Sequence, residues 1–361
     1  MLHLDLLSPP GDTLEELLDD RGMTQAQLAE RTDLTPKTIN LIVKGKAAIT
    51  PETALAFERV FGMPASFWNT REAQYRDALA RRAEAEAVDK SWQALFPFGS
   101  MVKAGLLPNV GQGVVERTRA LLDYFGVGSP AAFGNVWMNP AGAAAFRRSL
   151  ATTSQPYAIA AWLRAGEKEA AARENVASYT PEAFDAALAE ARTLTNDAPE
   201  AFLPRLEAAF ARAGVVFVMT PEVKGAPICG ATRWLTPDRA LVQISLRYRT
   251  NDHFWFTVFH ESGHVRKHGK RDVFLEECGD EPDAAKEAEA DRFAQDWLIP
   301  RAAWNAFVAR ADFYEPSVLT FAQAQGIAPG IVVGRLQHER LLDYRFLNHL
   351  KQRFAWIPES D

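Results

Sequence analysis

The residues of this chain best placed to do chemistry are His260, Glu261 and His264, in the run Thr257-Val-Phe-His-Glu-Ser-Gly-His264. On a helix, residues four apart share a face, so the two histidines can grip one metal ion while Glu261 sits beside it. Two imidazoles and a carboxylate are the donor set of a catalytic zinc, which keeps a fourth position for water. Zinc acidifies that water and polarises a carbonyl, and a neighbouring carboxylate such as Glu261 can pass the proton to a leaving amine. A second acidic pair, Glu287 and Asp291, lies four residues apart on one helix face, 23 residues beyond His264 (287 − 264). That spacing leaves room for a loop and turn that bring a second helix alongside the first.

Elements that must position these residues are legible around them. Val215–Met219, Ile228–Trp234 and Arg239–Leu246 read as strands, apolar and bounded by turn residues. Thr250-Asn-Asp252 opens the helix of the two histidines, and Lys286–Leu298 forms the helix of the acidic pair. The pattern resembles gluzincin-type peptidases, in which a strand beside the active-site helix holds a peptide by strand addition. More narrowly, Thr257–His264, Glu287-Ala-Glu-Ala-Asp-Arg-Phe-Ala and Trp297-Leu-Ile-Pro300 resemble the ImmA/IrrE metallopeptidases, over about residues 150–345. The resemblance implies His260, His264 and Glu287 as metal ligands and Glu261 as general base. It places Asp291 behind the ligands, hydrogen-bonded to a ligand histidine. Glu289 is the rival third ligand. His268 reads either as a helix-end residue favoured by the dipole or as a contact for substrate or an oxyanion.

The first seventy residues carry a different signal. Thr13 with Glu16, and Thr24 with Gln27, have capping-box spacing, and Thr35-Pro36 and Thr50-Pro51 place a cap before proline at a first helical position. The two helices across Thr24–Lys46 resemble the helix-turn-helix of Xre and phage-repressor proteins, and most closely HigA-type antitoxin regulators, over about residues 11–80. Thr35–Lys44 is then the recognition helix. With Ile39 and Ile42 turned inward, Lys37, Thr38, Asn40 and Leu41 face a major groove, while Gln25, Lys44 and Lys46 suit phosphates. Residues 1–70 hold six Lys/Arg against ten Asp/Glu, a net −4, yet Leu34–Pro51 holds three lysines and no acid. The basic charge is local. Such modules read half-sites as dimers, so a homodimer is expected.

The middle supplies helices but no chemistry. Arg71–Ala87, Leu121–Gly126, Ala143–Leu150, Tyr157–Glu174, a helix from Thr180 to Thr193 and Glu200–Gly214 read as helical, with Trp92, Phe96, Phe98, Trp137 and Trp162 as core. After the acidic-pair helix, Ala302–Ala311, Ser317–Gln325 and Ile331–Leu342 are helical, and Tyr344–Trp356 is expected to add a last helix.

The chain has 361 residues, a net charge of −6 and 47% hydrophobic residues, the balance of an ordinary globular protein rather than a nucleic-acid coat. It has no apolar run of about 20 residues that would cross a membrane. Its two cysteines, Cys229 and Cys278, suggest a reducing, cytoplasmic setting without structural disulfides.

The expected fold is α+β and mostly helical. It comprises a helix-turn-helix domain (1–75), a helical connector (76–200), a small gluzincin-like zincin core with a short mixed sheet (201–300) and a C-terminal helical region packed on it (301–361). Zinc is the expected metal, with manganese as an in vitro substitute. The expected partners are a double-stranded DNA operator, a repressor as protein substrate and a toxin. The implied function is transcription control in a stress, phage or toxin–antitoxin response by repressor cleavage. The alternative is an Xre-type regulator whose zincin half senses without proteolysis.

Overall fold

In the computed structural model, which describes residues 8–86, 89–138, 155–245, 247, 249–269, 273–277 and 284–354, the chain divides into two units, Met1–Asp89 and Lys90–Asp361. The first holds α1 (Pro10–Asp20), α2 (Gln25–Thr32), α3 (Pro36–Val43), α4 (Pro51–Phe61) and α5 (Ala65–Glu86). Thr24 and Gln27 form the expected capping box, and Thr35 and Thr50 cap α3 and α4 ahead of their prolines. Thr13 caps nothing. Pro9 and Pro10 start α1 three residues earlier, and the Thr13 hydroxyl instead accepts from Arg71 Nη2 at 3.2 Å. Leu14, Leu18, Leu28, Ile39, Ile42, Phe57 and Trp68 close one apolar core. α5 begins before Arg71 because Trp68 anchors its first turns in that core, and beyond Glu72 no residue of α5 is buried.

The second unit is organised by a sheet of order β1-β3-β2-β4, with β1 (Val215–Met219), β2 (Ile228–Thr236), β3 (Arg239–Ile244) and β4 (Val273–Glu277). β1 runs parallel to β3, and β2 is antiparallel to both β3 and β4. Ahead of the sheet come α6 (Lys90–Ala94), α7 (Phe98–Lys103), α8 (Val114–Phe125), α9 (Pro130–Phe133), α10 (Pro156–Ala172), α11 (Pro181–Thr193) and α12 (Pro199–Arg212). Alternation along the strands separates two faces. Val215 and Phe217 with Ala240, Val242 and Ile244 join α11, α12 and the later helices in one core. On the other face Val216, Val218 and Leu241 pack with Ala170 of α10. Ile228 and Ala231 pack with Trp92, Phe96, Phe98, Trp137 and Trp162, the expected aromatic core.

Two polar strand residues on that second face find partners on α10. Gln243 Nε2 donates to the Trp162 carbonyl at 2.7 Å and to Thr220 Oγ1 at 3.0 Å. Arg233 donates to Glu167 Oε1 at 2.7 Å and to the Leu163 carbonyl at 2.8 Å. A buried guanidinium left unpaired would cost several kcal/mol, on the order of 3–5, so Glu167 is needed where it stands.

Between β3 and β4 lies α13 (Asn251–Lys267), and after β4 come α14 (Ala284–Leu298), α15 (Arg301–Val308), α16 (Glu315–Gln325) and α17 (Pro329–His338). One apolar cluster runs from Phe184 to Phe354, so the sheet, α13 and the C-terminal helices share an interior. The expected helix at 344–356 is absent up to Phe354, and Ala355 and Trp356 lie outside the described residues. Asn348–Leu350 is a single 3-10 turn, and the chain then pairs with the start of α13. Thr250 bridges Arg353, Asn251 N donates to the Gln352 carbonyl at 2.9 Å, and Phe354 N donates to the Arg249 carbonyl at 2.8 Å. Lys351 Nζ meets Asp252 Oδ2 at 2.6 Å in the first turn. These partners satisfy backbone groups that a local helix would otherwise have taken.

β4 was not anticipated, and the helix expected at 143–150 lies outside the described residues. Cys229 is disulfide-bonded, contrary to the free thiols expected, and Cys278 lies outside the described residues. No single described helix is long and apolar enough to cross a membrane.

Candidate metal centre

α13 is a core helix. Phe254, Trp255, Val258, Phe259 and Val265 are buried along it, each large side chain worth about 1.5–3 kcal/mol when fully removed from water. The same burial takes in its polar residues: His260 is 3% exposed, Glu261 0% and His264 2%, with Glu287 of α14 at 8%. Buried polar groups need partners, and here they find one another. His260 Nε2 lies 3.0 Å from Glu287 Oε2, His264 Nε2 lies 3.3 Å from the same oxygen, and the two Nε2 atoms are 3.1 Å apart. Zinc bonds of about 2.0–2.1 Å at tetrahedral angles place donors about 3.3 Å apart. Three donors turned toward one point at those separations fit a zinc ion, and these three form the one such group found among the described residues.

Asp291, one turn beyond Glu287, places Oδ1 2.9 Å from His260 Nδ1, which orients the ring from behind. Glu289 points elsewhere: its Oε2 lies 3.4 Å from His268 Nε2. His268 ends α13, with its backbone N–H on the His264 carbonyl, and its Nδ1 lies 2.9 Å from His264 Nδ1. His268 thus stands at the helix end, one of the two roles its sequence position offered, with Nδ1 toward His264 and Nε2 toward Glu289.

The electrostatics suit a metal site. Burial alone would raise the Glu287 carboxyl, but hydrogen bonds with His260 and His264 outweigh it and hold the group down at about 2. Burial lowers His264 below its ordinary value against the pull of Glu287, keeping the imidazole in the neutral form a metal needs. Burial lowers His268 as well.

Two small residues set the approach of the elements. A Cβ on Gly263 would stand 3.1 Å from the Ala290 Cα and 3.2 Å from the Phe293 ring, so glycine lets α14 lie close enough to deliver Glu287 and Asp291. A Cβ on Gly230 of β2 would stand 2.5 Å from Glu261 Oε1. Beside it Thr232 Oγ1 donates to Glu261 Oε2 at 2.5 Å, which fixes the carboxylate under the strand. Thr232 and Gly230 gave no signal in the sequence, because their tie to Glu261 spans about thirty residues and exists only once β2 lies on α13. Gly263 was visible within the histidine motif, but its role needed α14.

In the first unit, Ile39 and Ile42 are buried, Lys37, Lys44 and Lys46 are exposed, and Gln25, Thr38, Asn40 and Leu41 are partly exposed. Thr38 is drawn toward the helix start, its hydroxyl 2.8 Å from that of Thr35. Asn40 Nδ2 donates to Gln25 Oε1 at 3.3 Å, so these two expected DNA contacts form a pair.

Comparison with known proteins places both halves. The helix-turn-helix family profile matches residues 14–68, and the profile of the IrrE N-terminal-like domain, peptidase family M78, matches residues 235–336. The chain belongs to the helix-turn-helix family through its first unit and carries an IrrE-type M78 domain in its second. It is 34% identical over 59 residues to the uncharacterized HTH-type transcriptional regulator YddM of Escherichia coli (strain K12), covering 16% of this chain and 63% of that protein. It is 37% identical over 74 residues to virulence-associated protein I of Dichelobacter nodosus, covering 20% of this chain and 68% of that protein. The chain thus spans under two thirds of the first relative. The structure of an addiction module antidote protein of a HigA family from Coxiella burnetii is matched at 28% identity and a TM-score of 0.21, over 22% of this chain and 88% of that one.

Proposed function

We propose that this chain is a DNA-binding transcription regulator that carries a zinc-dependent endopeptidase and acts by site-specific cleavage of a repressor protein. The observation that supports it best is the convergence of His260, His264 and Glu287 with Glu261 one residue along, in a chain that also carries a helix-turn-helix domain. When bound, zinc supplies Lewis acidity toward a water and the scissile carbonyl. The protein's own residues do the rest. Glu261, held by Thr232, would act as the base that accepts a proton from an attacking water and returns it to the leaving amine. Asp291 fixes the ring of His260. Lys37, Thr38, Asn40 and Leu41 reach base edges in a major groove, and Gln25, Lys44 and Lys46 meet phosphates. The regulator works in the cytoplasm as a homodimer in a stress, phage or toxin–antitoxin response, with a toxin as a further partner.

A second reading is favoured by one observation: Glu261 is wholly buried, which suits a domain that senses a ligand or partner without useful hydrolysis. One experiment separates the two. Wild type and Glu261→Gln, loaded with zinc or manganese, are incubated with neighbour-encoded repressors and the fragments read by mass spectrometry. The peptidase reading expects metal uptake in both and cleavage slowed about 10²–10⁴-fold in the variant. Equal cleavage sinks that mechanism. No cleavage by either, with repression and its release unchanged in Glu261→Gln but lost in Lys37→Ala, supports the sensor.

A further inference from the structure

The two ligand histidines are held from behind in different ways. His260 Nδ1 meets a carboxylate directly, at Asp291 Oδ1, whereas His264 Nδ1 meets another imidazole, at His268 Nδ1, 2.9 Å away. Two Nδ1 atoms at that distance must be one donor and one acceptor. The assignment follows from the other end of the ring. His264 Nε2 faces His260 Nε2 and Glu287 Oε2, so as a metal ligand it offers its lone pair there, and a neutral ring then carries its proton on Nδ1. His264 Nδ1–H therefore donates to His268 Nδ1. His268 in turn carries its own proton on Nε2, and that nitrogen faces Glu289 Oε2 at 3.4 Å. Each proton in the row from Glu289 to His264 has one place to be.

Local geometry puts His268 where this can happen. It is the residue after α13, four beyond His264, with its backbone N–H on the His264 carbonyl and φ −109°, ψ 166°. That extended backbone leaves the helix while the ring lies back along the last turn, its side chain 4% exposed. Glu289 shares α14 with Glu287 and Asp291 but differs from them in direction, so one helix supplies the third ligand, a carboxylate behind His260 and another behind His268. At 3.4 Å and half exposed, Glu289 acts chiefly as a charge that favours the Nε2–H tautomer of His268, and its share is the smaller one.

We propose that His268, backed by Glu289, is a positioning residue for His264: it fixes the tautomer and ring plane in which Nε2 meets the metal. This rests on the metal-site reading above.

The test uses the full-length protein, zinc titration against a chromophoric chelator and ¹⁵N NMR of the imidazoles. His268→Ala is expected to weaken zinc binding about 10–100-fold, the range for partners of ligand histidines, with the metal-free protein destabilised too little to account for that loss. His268→Asn, whose amide oxygen can accept from His264 Nδ1, recovers most of that loss, and Glu289→Gln costs less than His268→Ala. In the zinc-loaded wild type, His268 carries its proton on Nε2 alone. Wild-type affinity in His268→Ala, a proton on His268 Nδ1, or an Asn variant no better than Ala overturns the proposal. So does a fall in metal-free stability that accounts for the loss. Failure of the metal reading looks different: the wild type itself would take up no zinc.

Discussion

The two units put their functional side chains in opposite places. In the first, the core is built mainly from apolar side chains, and the residues proposed to meet DNA lie on the surface of α3 and its flanks. In the second, the chemical residues are inside, and His260, Glu261, His264 and Glu287 occupy positions where an ordinary core would hold leucine or phenylalanine. A surface site can be changed without touching the fold. A buried polar site is part of the fold, because each group depends on partners brought from other elements. The surface site is therefore expected to show binding effects alone, and the buried site coupled effects on metal, position and stability.

The strongest way to break this contrast is Glu287→Ala. Removing one of three ligands is expected to cost more zinc affinity than Asp291→Ala, itself expected to cost about 10–100-fold, as read by chelator competition. Equal losses would remove the distinction between ligand and brace. Leu28→Ala, fully buried in the first unit, is expected to destabilise that unit by about 2–5 kcal/mol in urea unfolding while zinc affinity stays put. A parallel loss of zinc would show that the two cores are energetically one.

Gly263→Val tests the close approach of α13 and α14. Overpacking there is expected to cost about 1–3 kcal/mol and to weaken zinc as well, since it pushes Glu287 and Asp291 away from the histidines. Acid titration of the metal-free protein supplies a fourth test. His264 is held below its ordinary value of 6.5, so the unfolded chain binds that proton first and stability falls as pH drops below 6.5. The Glu287 carboxyl, held at about 2 against an ordinary 4.5, contributes stability above 4.5 that is lost on the way down to 2. Unfolding midpoints across pH 8 to 2 would show both losses, and His264→Asn should shrink the first, to which His253 and His268, also lowered by burial, contribute. The smallest effect belongs to the surface: Lys44→Ala should flatten the slope of log affinity against log salt by about 0.9 if it meets one phosphate.

Much of the first unit was legible because its signals are local. Thr24 with Gln27, Thr35-Pro36 and Thr50-Pro51 each write a helix start within four residues, and the caps form as read. Thr13 misled for the same reason: its spacing was right, but the preceding prolines had already started the helix. The tail misled in the other direction. The tail has helical composition, yet the backbone partners of Gln352 and Phe354 lie about a hundred residues away at the start of α13, and sequence periodicity carries no information about that choice.

By itself, the order of residues determined the candidate donors. His260, Glu261 and His264 share a helix, and Glu287 and Asp291 follow on another, because spacing on one helix settles which side chains share a face. Tertiary structure alone decided which acid meets which ring. Glu287 meets both histidines, Asp291 braces His260 and Glu289 reaches His268, because Gly263 and Ala290 let two helices touch at one depth and rotation. Thr232 reaches Glu261 for the same kind of reason. Distances between elements come from packing the whole core, and no run of residues within either element encodes them.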